Sequence, residues 1–413
     1  MRKTLILLFA LCPFWLHAQE STESLIRENI LRACVNTCPY EYRPAAETPV
    51  PKGYNAFYIS HYGRHGARTD WAPAEYDYGK TLALYNSASA AGLLTPEGEA
   101  VRAQIAEIIR LVDGMGGRLT ELGAQEHRQI ASRMYKHFRK VFRQGSRKVR
   151  AVASISPRCL VSMAASTSVL TACDPSLDIS WDSDPKYMRF MVTDSPKHIR
   201  AQTDRIQSDF RKAHVPDTAA FLARIFTDPA KARPLVGDAA TLMLRTFFVA
   251  LNTGSFELDP VILRAFKTED LARYEECTSQ EQYLRHCNSL PFGDERMKLV
   301  RPLSEEFVGK AEDAIASGNC VADLRYGHDS QLIAFASLLG IEGIGERRGV
   351  EDAAQWRGCF GTPFASNLQT VFYRDRRGDI LVKFYYNERE ARLLTLPDGP
   401  YYRWSDVKSL LLR

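Results

Sequence analysis

The stretch Arg64-His65-Gly66-Ala67-Arg68 places two permanently charged guanidiniums around one imidazole, with glycines at 63 and 66. It follows directly on the apolar, β-branched run Tyr54 to Ser60. Guanidinium forks match tetrahedral oxyanions such as phosphate or sulfate, and Arg158 supplies a third after a second run of the same kind, Val149 to Ile155. A third run, Val321 to Gly327, ends on His328 and Asp329. The glycines let the backbone turn tightly against a ligand. Together these groups meet the needs of phosphomonoester cleavage: an in-line nucleophile, cations on the equatorial oxygens, and one acid for the departing alkoxide. A neutral imidazole is the candidate nucleophile, and the residues alone leave His61, His65 and His328 open. His61 and His65, four apart, converge on a metal only from a helix, and here they follow a strand, so no metal is expected.

The elements that must hold these groups are legible in outline. The three short runs each lead into a polar turn and then a helical pattern, which is the rhythm of a parallel α/β sheet. Ligands in such sheets sit beyond the carboxyl ends of the strands, where His65, Arg158 and His328 all fall. Leu368 to Asp375, Asp379 to Arg389 and Ala391 to Pro397 alternate more and predict antiparallel strands at an edge. From about 180 to 318 the patterns are helical and broken by Pro, Gly and Asp, as in a helical insertion.

Four segments in order carry a resemblance to a known family. Arg64 to Arg68 resembles the R-H-G-x-R signature of the histidine phosphatase superfamily, and Gly327-His328-Asp329 resembles the His-Asp motif of its second clade, the histidine acid phosphatases and phytases. Val149 to Ser166 is similar to the family's strand, serine turn and phosphate-binding arginine. Arg118 to His127 is similar to its Leu-Thr-x-x-Gly helix start. The resemblance implies His65 as nucleophile, Asp329 as proton donor, and Arg64, Arg68, Arg158 and His328 around the phosphate. It implies no cofactor and no metal. The implied fold is a three-layer α/β/α domain with a mostly parallel central sheet plus an inserted helical cap domain. The chain departs from the family where Thr69-Asp70-Trp71 follow the signature in place of a common proline. It departs again at His328-Asp329-Ser330, where inositol polyphosphate phosphatases usually carry His-Ala-Glu.

The domain boundaries expected are a signal peptide over 1–18, the first part of the α/β domain with the nucleophile loop over 19–95, and helices partly in the cap over 96–145. The phosphate-binding arginine follows in α/β segment 146–180, then the cap over 181–318, and the His-Asp motif with the edge strands over 319–413. Residues 1–18 have Arg2 and Lys3, an apolar run too short to span a bilayer, and Ala18 at the cut, so export to periplasm, outer-membrane vesicle or medium is expected, with no integral membrane segment afterwards. A lipid anchor on Cys12 fits less well, because Leu11 before it is bulky. Losing Arg2 and Lys3 lowers the formal net charge from +5 to +3, too small to imply a nucleic-acid partner. The expected partner is a small phosphorylated substrate, with inositol hexakisphosphate as the candidate. Among the eight remaining cysteines, Cys34–Cys38 and Cys277–Cys287 are the nearest-neighbour disulfide expectations. The competing functions are a phosphotransferase or mutase of the same superfamily, and a phosphate-ester-binding protein without catalysis. A binder would need only the arginines.

Overall fold

The computed structural model describes residues 21–70 and 73–413, so the expected leader lies outside the described residues. The strands form one sheet in the order β3-β2-β4-β1-β5-β6-β7, with β8 paired to β6. Four strands are parallel: β1 (Asn55–Arg64), β2 (Lys148–Ala153), β3 (Asp178–Asp182) and β4 (Ala322–Gly327). The remaining strands, β5 (Asn367–Arg374), β6 (Ile380–Tyr386), β7 (Arg389–Ala391) and β8 (Tyr402–Arg403), join antiparallel. The register decides where chemistry can sit. Arg64 lies opposite Gly327, and Ala153 opposite Tyr326, so the three central strands end at one level.

Alternation along the strands sorts side chains onto two covered faces. Ile59, Leu324 and Tyr326 pack with Met134 and Leu170 from the helices Glu121–His137 and Pro157–Cys173. Tyr58, Tyr62 and Phe372 face the other way, onto Phe307, Phe335 and Trp404. On that second face β4 also buries charge. Arg325 pairs with Glu306 at 2.6 Å, and Arg150 reaches both Glu306 and Asp323 within 3.0 Å. The result is the expected three-layer α/β/α arrangement, with a sheet that is mixed: the four parallel strands lie together on one side and the four antiparallel strands on the other.

A separate apolar cluster is mostly helical and draws on Tyr85, Ile105, Phe221, Phe247 and Leu271. Its helices differ from the expected segments. Tyr78–Ala90, inside 19–95, packs in this cluster, whereas Arg301–Ser317, inside 181–318, packs on the sheet. Helical periodicity shows that a face is apolar, and which layer it covers depends on tertiary pairing. Among the described residues no single helix is long and apolar enough to cross a membrane.

The expected disulfides are corrected: all eight described cysteines are free thiols. Cys277 lies within the helix Thr268–His286 and Cys287 caps its end, so about ten residues of helical rise, ~15 Å, separate them. Cys34 and Cys38 are buried around a kink at Val35, where φ is 49°. Burial pushes the Cys34 thiol up to about 12 and so suppresses its thiolate.

His61 belongs to this interior. Its ring lies 5.4 Å from that of Tyr326, which is also 5.6 Å from that of His127. Burial lowers His61 to about 3 and His127 to about 4. An unfolded histidine titrates near 6.5, so below that pH the unfolded chain binds protons that the folded chain refuses. Stability is therefore greatest above about pH 6.5 and falls as the pH drops towards these values. Differential scanning at pH 7.5 and 4.5 is expected to show a loss in Tm on the order of 5 °C at the lower pH.

Candidate active site

The loop after β1 is held by its backbone. His65 N donates to Gly327 O at 3.0 Å, Gly66 N to Ser162 Oγ at 3.2 Å, and Ala67 N to Glu126 Oε2 at 2.7 Å. Thr120 caps the helix Glu121–His137 by accepting from Gly123 N, and its own N–H and hydroxyl both reach Ala67 O. A Cβ on Gly66 would lie 2.2 Å from Gly123 O, and one on Gly123 would lie 2.2 Å from Ala67 O. Loop and helix start therefore meet backbone to backbone, which is the physical content of the Leu-Thr-x-x-Gly segment. Gly123→Ala must push the loop away. The expected outcome is about 1–3 kcal/mol less stability and about 10²-fold lower kcat, read by thermal melts and steady-state kinetics.

Around this loop the structure brings six expected residues together. Arg64 is buried, with Nη2 3.1 Å from Asp329 Oδ2, and its Nη1 donates to Asn36 O at 2.5 Å and Thr362 O at 2.7 Å. Its guanidinium sits 4.8 Å from the centre of the Phe364 ring. The rings of His65 and His328 are 5.7 Å apart, edge to face. Arg158 follows β2 at the start of the helix Pro157–Cys173, with Nη2 3.5 Å from His328 Nδ1. Arg68 donates to Thr69 O at 2.8 Å. In each of the three arginines the buried Nε–H has no acceptor among the described residues. Such a donor set suits a multiply charged oxyanion.

Proton positions follow from these contacts. His65 Nδ1 lies 2.9 Å from Gly66 O, and a carbonyl only accepts, so Nδ1 carries the hydrogen and Nε2 keeps its lone pair. Burial, then Arg64, Arg68 and Arg158, hold His65 well below the usual histidine range. His328 is lowered to about 4 by burial and then Arg158. Its Nε2 lies 3.0 Å from Ser154 Oγ, opposite the nitrogen that faces Arg158. Arg68 drops to about 10 through burial and repulsion from the other two arginines. Burial acts to raise Asp329, but Arg64, His286 and His328 override it and leave the carboxyl well below its ordinary value. Asp329 opens the helix Asp329–Leu339, where an anion also complements the dipole.

No curated protein matches the chain. A family model described as the histidine phosphatase superfamily, branch 2, matches residues 63–387. The chain belongs to this superfamily. Its fold is that of solved branch 2 enzymes, and membership makes it a phosphatase. The multiple inositol polyphosphate phosphatase of Bifidobacterium longum in complex with phosphate superposes with a TM-score of 0.72 at 19% identity, over 92% of this chain and 97% of that one. The same enzyme in complex with inositol hexasulfate gives 0.69 at 20% identity over the same shares. The phytase from D. castellii gives 0.68 at 13% identity, over 93% of this chain and 85% of that one.

Several residues around the histidine phosphatase loop carry no signal in the sequence. Asn36 and Thr362 contribute only backbone carbonyls, which any residue type has. Phe364 and Ala365 precede β5, and Ala365 N donates to His65 O at 3.0 Å. Glu126 lies within the motif-like segment, but nothing in its spacing separates it from a solvated helix residue. Within the expected cap, His198 pairs with Glu295 at 2.9 Å on an exposed face.

Proposed function

We propose that this chain is an exported phosphomonoesterase that works through a phosphohistidine on His65, with inositol polyphosphates as its substrate class. The observation that carries the mechanism is His65 Nδ1 at 2.9 Å from Gly66 O, which leaves Nε2 as the free nitrogen of a buried ring under the charge of Arg64, Arg68 and Arg158, with Asp329 on Arg64. The leader-like pattern of residues 1–18 supports export. The substrate class is supported by the fold shared with the Bifidobacterium longum enzyme, whose solved complexes hold phosphate and inositol hexasulfate.

In the first step Nε2 attacks phosphorus as the ester P–O bond breaks, and the alkoxide takes a proton from Asp329. The three arginines, with His328, bear the charge of the equatorial oxygens. In the second step Asp329, now a carboxylate, takes a proton from water as the water oxygen attacks phosphorus. The P–N bond breaks and returns the electron pair to Nε2. A histidine held far below its usual range keeps that lone pair in acid, where an ordinary imidazole is protonated.

The test is phosphate release from inositol hexakisphosphate and p-nitrophenyl phosphate, side by side with EDTA present. Release from both is expected. Activity confined to the small ester would overturn the substrate class, and silence on both would overturn the function.

A further inference from the structure

Glu126 is a carboxylate buried to 4% exposure, and among the described residues it makes no salt bridge. Both of its oxygens are used. Oε2 accepts from Ala67 N at 2.7 Å and Oε1 from Tyr40 N at 2.8 Å. Burying a carboxylate is costly unless strong hydrogen bonds compensate, and two short bonds from backbone donors offset part of that cost. The charges that act on it are Arg64, which favours its ionised form, and Glu257, which opposes it. Burial outweighs these and brings its carboxyl up to about 7.

The two donors are not arbitrary. Ala67 lies two residues after His65, in a loop where the N–H groups of His65 and Gly66 go to neutral acceptors. Tyr40 belongs to the segment in which Asn36 O receives Nη1 of Arg64, the residue before His65. The far side of that segment is fixed in turn, because Tyr40 Oη donates to Glu388 Oε2 at 3.0 Å and Glu388 pairs with Arg133 at 2.7 Å. One carboxylate thus joins the two stretches of backbone that bracket the histidine.

We propose that Glu126 is a positioning residue, a clamp between Ala67 and Tyr40 that fixes the direction of His65 Nε2 relative to the arginine cradle without touching substrate. When the clamp is lost Arg64 keeps Asp329 and Thr362 O, and Arg68 and Arg158 keep their own contacts, so alignment of attack suffers and anion binding does not. The inference rests on His65 as nucleophile.

The experiment compares Glu126→Gln, Glu126→Asp and Glu126→Ala with wild type. The readouts are kcat and KM on p-nitrophenyl phosphate, the inhibition constant of inorganic phosphate, and the thermal midpoint. Glutamine keeps the shape but offers one oxygen, and aspartate keeps the charge but falls a methylene short of spanning both donors. The expected result is a drop in kcat of about 10-fold for these two and about 10²-fold for alanine, with KM and phosphate inhibition within about 3-fold of wild type. Glu275→Gln is the control. That carboxylate is also buried but, among the described residues, accepts only from Ser279 Oγ, so its loss is expected to lower the midpoint and leave kcat intact. Glu126→Gln is near-isosteric and remains decisive if the alanine variant fails to fold. Wild-type kcat in Glu126→Gln overturns the clamp. So does a weakening of phosphate inhibition equal to the loss in kcat, because Glu126 would then be building the anion cradle. His65→Ala run in parallel keeps the two readings apart, since activity surviving in that variant counts against the nucleophile itself.

Discussion

Replacing His65 with alanine is expected to lower phosphate release by a factor on the order of 10⁵ or more, while inorganic phosphate still binds. The size of the loss follows from the lack of a substitute. His328 has one ring nitrogen towards Ser154 Oγ and the other facing Arg158, and His61 lies in the interior beside Tyr326. Binding survives because Arg64 and Arg158 are held by Asp329, by backbone carbonyls and by the helix Pro157–Cys173, none of which involves the imidazole. Steady-state kinetics together with phosphate titration read both halves. A rate within 10³-fold of wild type would contradict the assignment.

Asp329→Asn is expected to cost about 10²–10⁴ in kcat on alkyl phosphate esters and much less on p-nitrophenyl phosphate. An alkoxide cannot leave without a proton, whereas p-nitrophenolate is stable enough to do so. The pH dependence sharpens the prediction. Arg64 is 3.1 Å from Asp329 and heads the influences that keep the carboxyl below its ordinary value, so the free enzyme holds it ionised. The proton it donates must then enter with the substrate. A phosphate monoester loses its second proton near pH 6, so kcat/KM for wild type should fall about tenfold per unit above that pH. In Asp329→Asn that fall should flatten, because no proton is routed through an amide. The pH profiles of both proteins on an alkyl ester check this, and an unchanged basic limb in the variant would contradict it.

Much of this site is legible in the sequence because its residues are extreme types at the ends of extreme segments. β1, β2 and β4 are buried on both faces and read as short apolar runs, and the reactive groups stand where those runs stop. Choosing His65 over His61 needed either the family pattern or the structure. Both histidines are close to the strand end, and only the fold shows that His61 turns into the interior. β3 was invisible to periodicity: Asp178-Ile-Ser-Trp-Asp182 is an exposed edge with an acid at each end. The clamp at Glu126 and the carbonyls of Asn36 and Thr362 are legible only in three dimensions, since what matters there is backbone position. The Cys277–Cys287 expectation failed for a related reason, because nearness in sequence along a helix is separation in space.

The most direct measurement is to quench the enzyme during turnover under alkaline conditions that preserve phosphohistidine, digest it, and map phosphoryl adducts by mass spectrometry. The account predicts an adduct on the imidazole of His65 that is lost when labelled substrate is chased with unlabelled substrate before the quench. An adduct on another residue, or active turnover with none at His65, would contradict it.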